Sequence, residues 1–527
     1  MSRAGIDRAF ERRLSMFVNS REPRVMQHGL KGVEKESLRL TPDGVIEQSP
    51  HPAVLGSALA HDHITTDYSE ALIELVTPAF TESWELLQYL CDLHQFVYRH
   101  LGDQLLWATS MPCIVEGDES IPIAHFGRSN VGMMKEVYRR GLGYRYGRLM
   151  QAISGVHYNY SFPERFWHVL ADAVQVHKPD RDFISDQYFA LLRNYRRFGW
   201  LILYLFGNSP ALCSSFVKGR EHDLQTLSPG TLFDPYATSL RMSDLGYRNK
   251  NQAGVQISVN SLAEYVRDLS AAVSTPHPDY EKIGVKVNGD YRQLNANLLQ
   301  IENEYYSYIR PKRVARSGEH PSAALKRGGV EYVEFRALDV SAFDPVGVNQ
   351  NKLRFLEAFA ALCVLKQSDP IAPSEQAHLD ANHAIVARHG REPGLKLSRN
   401  NRPVELRTWS LELMDSMRGI CELLDEGESQ KPYTAALELQ EAKILDAALT
   451  PSARTLGELR TSGESFAEMA LRMSHLHKAY FLELYPPNEQ RLSEFASEAE
   501  ESLRKQAQIE ASDTMTFDQF LARYFQQ

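Results

Sequence analysis

The chain has 527 residues, 43% of them hydrophobic and 24% charged, with a formal net charge of −9 at pH 7. Such a balance belongs to a folded globule with a sizeable core; it excludes a disordered or fibrous chain and lacks the basic field that holds nucleic acid or an anionic membrane. The five cysteines, Cys91, Cys113, Cys213, Cys363 and Cys421, are widely spaced with no CxxC pair, so reduced core thiols are expected rather than a disulfide frame or zinc site.

The first predicted element with chemical content is a strand over Gly32–Arg39, reading GVEKESLR. Side chains two apart on a strand share a face, so Glu34 and Glu36 point to one site. Carboxylates that close repel unless a cation lies between them, and hard oxygen ligands suit Mg²⁺ or Mn²⁺. Alone, the alternation also fits a solvated edge strand. Inward acids accompanied by arginines recur in later segments, and that recurrence favours a site.

His61 and His63 with Asp67 would suit a metallohydrolase, yet the rest of a metal signature is missing. The segment Thr65–Pro78 follows, TTDYSEALIELVTP. Read as a helix, it puts Asp67, Glu70 and Glu74 on one stripe; read as a strand, Glu74 points with Leu72 and Val76. In both readings Glu74 sits among apolar residues, and a buried carboxylate needs a partner.

Gly155–Ser161, GVHYNYS, alternates as a strand with His157 and Asn159 on one face. The segment Tyr236–Tyr247 carries Arg241, whose planar guanidinium can grip a carboxylate or phosphate at two points. Arg310, Lys312 and Arg313 read as ion-pairing residues. A polar loop, Arg316–Pro321, precedes the strand Gly328–Asp339, in which Glu334 and Arg336 share a face. Loops so placed can close over a site.

From about Val404 apolar residues return at helical spacing, as in Leu411, Met414, Met417, Cys421 and Leu424. Thr516–Gln519 is a capping box opening a last amphipathic helix with Phe520, Leu521 and Phe525. The polar stretch Lys396–Arg402 marks a boundary between a catalytic region, 1–400, and a helical region, 401–527, packed on it. No uncharged apolar run reaches the about 18 residues of a membrane span, and Met1–Arg13 has no apolar signal core, so a cytoplasmic location is expected. GxxxxGK[ST], GxSxG and HExxH are absent, and Gly141–Gly147 lacks the spacing of a dinucleotide fingerprint.

Taken in order, GVEKESLRL, HPAVLGSAL, TTDYSEALIELVTP, SMPC, GVHYNYSF, RNYRRFGW, PYATSLRMSDLGY, IRPKR and GGVEYVEFRALD resemble the bacterial type of glutamate-cysteine ligase over essentially the whole chain. The resemblance implies an α+β fold, a bowl of antiparallel strands flanked by helices and related to the catalytic part of glutamine synthetase. It implies ATP-dependent joining of the glutamate γ-carboxylate to cysteine through γ-glutamyl phosphate, the first step of glutathione biosynthesis; another amine acceptor is the alternative.

By the same resemblance, Glu34, Glu36, Asp67, Glu74, His157 and Glu334 would surround two or three Mg²⁺ ions, with Mn²⁺ possible. Arg336, beside Glu34 and Glu334, would steady the phosphoryl group in flight, and Arg241 would clamp substrate carboxylate or phosphate. Tyr68, Tyr138, Tyr247, Asn303 and Tyr306, with Gln151 nearby, would form the cysteine pocket. The expected partners are small-molecule substrates, with feedback by glutathione, and the chain is expected as a monomer or weak homo-oligomer. Two departures stand out. Residues 366–405 contain no cysteine, which removes the basis for disulfide control there, and position 68 is tyrosine where some relatives have phenylalanine.

Overall fold

The computed structural model describes residues 7–22, 24–246, 255–316 and 318–526. Its central feature is a seven-stranded sheet: β1 (Leu30–Leu40), β2 (Ile64–Thr66), β3 (Leu72–Val76), β4 (Leu105–Leu106), β5 (Gly155–Ser161), β6 (Ile309–Lys312) and β7 (Tyr332–Asp339). The strand order is β6-β7-β5-β1-β3-β2, with β4 paired to the end of β1, and every pairing is antiparallel. Strands from position 30 to position 339 thus meet in one surface, as the α+β expectation requires.

Alternation gives the sheet two unlike faces. On the back, Val33, Tyr158, Tyr160, Val333 and Phe335 are buried in the main core. Behind them lies the helix Gln350–Leu365, apolar almost all round and buried along most of its length. Its Glu357 accepts hydrogen bonds from Lys31 Nζ at 2.9 Å and from the Tyr433 hydroxyl at 2.8 Å, which pairs a carboxylate that burial alone would make costly.

Thr65–Pro78 folds as strands: β2 and β3 form a hairpin with Thr65 opposite Glu74. The helical alternative is thereby excluded, and Glu70 parts from its neighbours. Its carboxylate turns away to accept the backbone N–H groups of His51 and His125 at 3.2 Å each.

The stripe expected after Val404 lies on a helix, Leu406–Leu424, with Met414, Met417, Cys421 and Leu424 buried and Leu411 half-buried. The boundary stretch Lys396–Arg402 lies in a β-hairpin with strands Lys396–Arg399 and Arg402–Glu405. Asn400 and Asn401 turn it at φ of 51° and 61°, a left-handed pair that asparagine tolerates. One continuous core runs from Phe10 to Phe495, so the region after residue 400 shares the catalytic region's interior. Among the described residues no helix is long and apolar enough to cross a membrane, and all five cysteines are free, four of them buried.

Candidate active site

The register of the sheet brings the acids together. Glu34 on β1 stands opposite His157 on β5, Glu36 opposite Glu74 on β3, and Glu334 on β7 opposite Asn159 on β5. These are front-face positions on neighbouring strands. Asp67 follows at the turn after β2. All six predicted metal-binding residues, and Arg336, line one cavity of about 1160 Å³.

His157 lies among three carboxylates. Its Nδ1 is 3.3 Å from Glu34 Oε2 and 3.8 Å from Glu334 Oε1, and its Nε2 is 3.7 Å from Glu36 Oε1. Asn159 Nδ2 donates to Glu34 Oε1 at 2.8 Å, and the Gly155 N–H donates to Glu36 Oε2 at 2.6 Å. Arg336 Nη1 donates to Glu334 Oε1 at 3.0 Å, while Lys312 Nζ lies 3.6 Å from the same oxygen. The carboxylates on one side therefore crowd each other, and those on the other side face cations.

The titration behaviour divides the same way. Burial, with Glu34, Asp67 and Glu36 nearby, holds the Glu74 carboxyl well above the usual carboxylate range. Burial also raises Glu36. Burial acts upward on Glu334 too, but Arg336, Lys312 and His157 outweigh it and leave that carboxyl well below its usual value. Burial and the repulsion of Glu334 push Glu34 up, but the His157 hydrogen bond, with the His157 and Lys312 charges, outweighs them and leaves it below its usual value. An acidic set strained by its own charge, beside one already neutralised, is built to take up positive charge.

The atoms present fit a divalent cation. Ligand atoms of Glu34, Glu74 and His157 lie within 4.8 Å of one another, the one such group among the described residues. Glu334 Oε2 is buried with no hydrogen-bond partner there, an acceptor that a cation would satisfy. Oxygen donors in the majority, with one imidazole, suit Mg²⁺ or Mn²⁺.

Comparison with known proteins shows the family. The family described as glutamate-cysteine ligase matches residues 14–386. The glutamate–cysteine ligase of Alcanivorax borkumensis is 46% identical over 522 residues, covering 98% of this chain and 99% of the relative; that of Azotobacter vinelandii is 48% identical over 518 residues, 98% of each. The chain belongs to the glutamate-cysteine ligase family. The crystal structure of the Francisella tularensis ligase in complex with AMP superposes with a TM-score of 0.89 at 36% identity, over 95% of this chain and 98% of that one. A bifunctional glutathione synthetase from Pasteurella multocida shares the fold, with a TM-score of 0.70 at 24% identity, 90% of this chain and 54% of that one.

In this ligase Tyr68, Tyr138, Gln151, Asn303 and Tyr306 also line the cavity, next to the acids. The Arg336 guanidinium lies 6.0 Å from the Tyr306 ring centroid, so the pocket of aromatic rings adjoins the charged end. The Tyr68 hydroxyl is buried without a hydrogen-bond partner among the described residues and fits because position 143 is glycine, whose Cβ would stand 2.7 Å from it. Tyr247 lies outside the described residues.

Arg241 lies beside the cavity rather than on its lining. It is 1% exposed and absent from the cavity lining. Its Nη2 donates to the Arg336 carbonyl at 3.1 Å, its Nη1 lies 3.7 Å from Asp339 Oδ1, and a Cβ on Gly155 would collide with it at 2.1 Å. Arg241 thus braces β5 and β7 beside the acids, near enough for its charge to act on Glu36. His61 and His63 do not form a metal centre: His61 Nδ1 accepts the N–H groups of His63 and Ile64, and His63 Nδ1 meets the Val76 carbonyl at 3.0 Å.

Sequence reading missed several members of the site. Arg139 and Lys135, on the helix Asn130–Tyr146, line the cavity, and burial with the nearby Arg139 charge pushes Lys135 down to about 8. Arg310 and Lys312, read as structural, line it as well. Arg139 follows the predicted Tyr138 directly, and that adjacency was the available signal.

Proposed function

We propose that this chain joins the γ-carboxylate of L-glutamate to the amine of L-cysteine, with ATP converted to ADP and phosphate, as the first step of glutathione biosynthesis. One observation carries the reading: Glu34, Glu36, Asp67, Glu74, His157, Glu334 and Arg336, drawn from four stretches of the chain, line a single cavity next to a pocket of tyrosines.

A carboxylate is a poor acyl donor because its oxygen leaves badly. In the first step a γ-carboxylate oxygen of glutamate bonds to the γ-phosphorus of ATP and the bond to ADP breaks. In the second, the cysteine nitrogen bonds to the acyl carbon, phosphate departs with the bonding electrons, and the amine loses a proton. Phosphoryl transfer needs positioning and charge neutralisation more than covalent help. Divalent cations held by the Glu34, Glu36, Asp67, Glu74, His157 and Glu334 set would neutralise the phosphate oxygens.

The chain's own cations act beside them. Arg336, oriented by Glu334 and held charged by it, offers a planar donor pair to the phosphoryl oxygens as they pass. Tyr138, Tyr306, Tyr68, Asn303 and Gln151 form the acceptor pocket, where aromatic faces suit a polarizable sulfur. We place the reaction in the cytoplasm, in keeping with the five free thiols.

The test is phosphate release from ATP with Mg²⁺ and glutamate, compared across cysteine, 2-aminobutyrate and bulkier amines. Cysteine should be preferred. Glutamate-independent turnover, or none, would overturn the reading, and indifference to the amine would overturn the assigned acceptor.

A further inference from the structure

The cavity has an outer rim made by the C-terminal end of the chain. The last helix, Phe517–Tyr524, and the turn before it bring Met515, Phe520, Arg523 and Tyr524 to the lining, together with Arg316 and His320 of the preceding loop region. The sequence placed this helix in a separate region from the site.

The helix is held by a seat of its own. Thr516 and Gln519 close the capping box at its start. Phe517 and Leu521 pack with Val137 and Leu294 in a small cluster distinct from the main core, bordered by Tyr138 and Ile301. Before it, the Asn130 N–H donates to Asp513 Oδ2 at 2.5 Å and Asn130 Nδ2 to the Met515 carbonyl at 3.0 Å. At its end the Tyr524 ring stacks on His320, centroids 4.4 Å apart, and His320 Nε2 lies 3.2 Å from the Tyr524 carbonyl.

Among the arginines of the lining, Arg523 is unlike those at the charged end. Arg336 is bound to Glu334, Arg310 to the Asn303 carbonyl and Arg139 to the Lys135 carbonyl. Arg523 is exposed at the rim and has no ion pair or side-chain hydrogen bond among the described residues. A free guanidinium beside stacked rings is what a purine nucleotide meets well: rings bound the base, and the planar cation takes a phosphate. The cavity also exceeds the roughly 300–1,000 Å³ that one drug-sized ligand occupies, leaving room for a nucleotide reaching from the acids to the rim.

We propose that the C-terminal helix is part of the nucleotide site, with Arg523 positioning the phosphate chain of ATP and with Phe520 and Tyr524 as a wall against its base. This inference rests on the proposed use of ATP.

The test measures MgADP binding by calorimetry, and KM for ATP and for cysteine by phosphate release, on the full chain carrying Arg523→Gln, Arg523→Lys or Tyr524→Ala. Arg523→Gln should weaken ADP and raise KM for ATP by about fivefold or more, a change of about 1 kcal/mol, with KM for cysteine and melting temperature unchanged. Arg523→Lys should recover part of the affinity because charge is kept, and Tyr524→Ala should weaken ADP as well. Unchanged ADP affinity in Arg523→Gln overturns the inference while leaving the ligase reading intact. A rise in every KM with a fall in melting temperature also overturns it, since the helix would then be merely structural. A wild-type chain that neither binds ADP nor releases phosphate from ATP defeats the ligase reading itself.

Discussion

Glu34 and His157 face each other in register across β1 and β5, with Glu34 Oε2 3.3 Å from His157 Nδ1. Through this pair the proposed phosphate end of the cavity is tied to two strands that are 123 residues apart in the chain. Glu34→Gln keeps the size and an acceptor oxygen but removes the charge that a cation needs. Turnover should fall at least about a hundredfold, with the melting temperature nearly unchanged. Steady-state kinetics and thermal unfolding of the same sample check this. A large loss of melting temperature would assign Glu34 a structural role.

Arg336→Lys should lower kcat by about a hundredfold or more, because an ammonium cannot make the two-point contact of a guanidinium. The Lys312 charge near Glu334 remains, so the fold should hold. Single-turnover phosphate release is the measurement. A rate close to wild type would remove Arg336 from phosphoryl transfer.

Glu74 is the carboxyl most strongly raised by burial and like charge. A group whose folded pKa lies above its unfolded value stabilises the fold fully only below the unfolded value, and that contribution fades as pH rises through the folded one. Without divalent cations the protein should therefore lose thermal stability as pH climbs above the ordinary carboxylate range. Mn²⁺ or Mg²⁺ should restore it, increasingly at higher pH, since the cation competes with the proton. Glu74→Gln should flatten both effects. Melting curves from about pH 5 to about pH 8, with and without Mn²⁺, decide it, and a cation shift indifferent to pH would count against the site.

Behind the acids, burial lowers Lys35 to about 7; its Nζ donates to Ser37 Oγ at 2.5 Å and lies 3.1 Å from His94 Nε2. For a lysine depressed on folding, the unfolded chain binds the extra proton between the two pKa values, so stability rises with pH across about 7 to 10.5. The slope from this group is at most about 1.4 kcal/mol per pH unit. Lys35→Met should lose that slope, so the variant compares best with wild type near neutrality and progressively worse toward pH 9.5 or so. Denaturant unfolding at both ends of the window tests it; parallel pH profiles would refute the assignment.

Much of the site was legible because strand geometry is local. A period of two places Glu34 with Glu36, His157 with Asn159 and Glu334 with Arg336, whatever the rest of the chain does. The resemblance carried those pairs to a common cavity, and the register accounts for it: Glu36 against Glu74, Glu34 against His157, Glu334 against Asn159. Glu70 illustrates the limit. Three residues from Asp67, it shares the same acidic run, yet its carboxylate caps the backbone of His51 and His125, residues whose approach no local pattern announces.

By itself the sequence determined which side chains share a strand face and which helices carry an apolar stripe, since both follow from backbone periods of two and 3.6 residues. The tertiary structure alone decided which faces meet. It buried Arg241 against Asp339 beside the cavity, brought Arg139 and Lys135 in on a neighbouring helix, and folded the C-terminal helix over the rim. Those outcomes depend on contacts between residues far apart in the chain, 95 positions for Arg241 with Arg336 and 383 for Asn130 with Asp513, and only packing selects them.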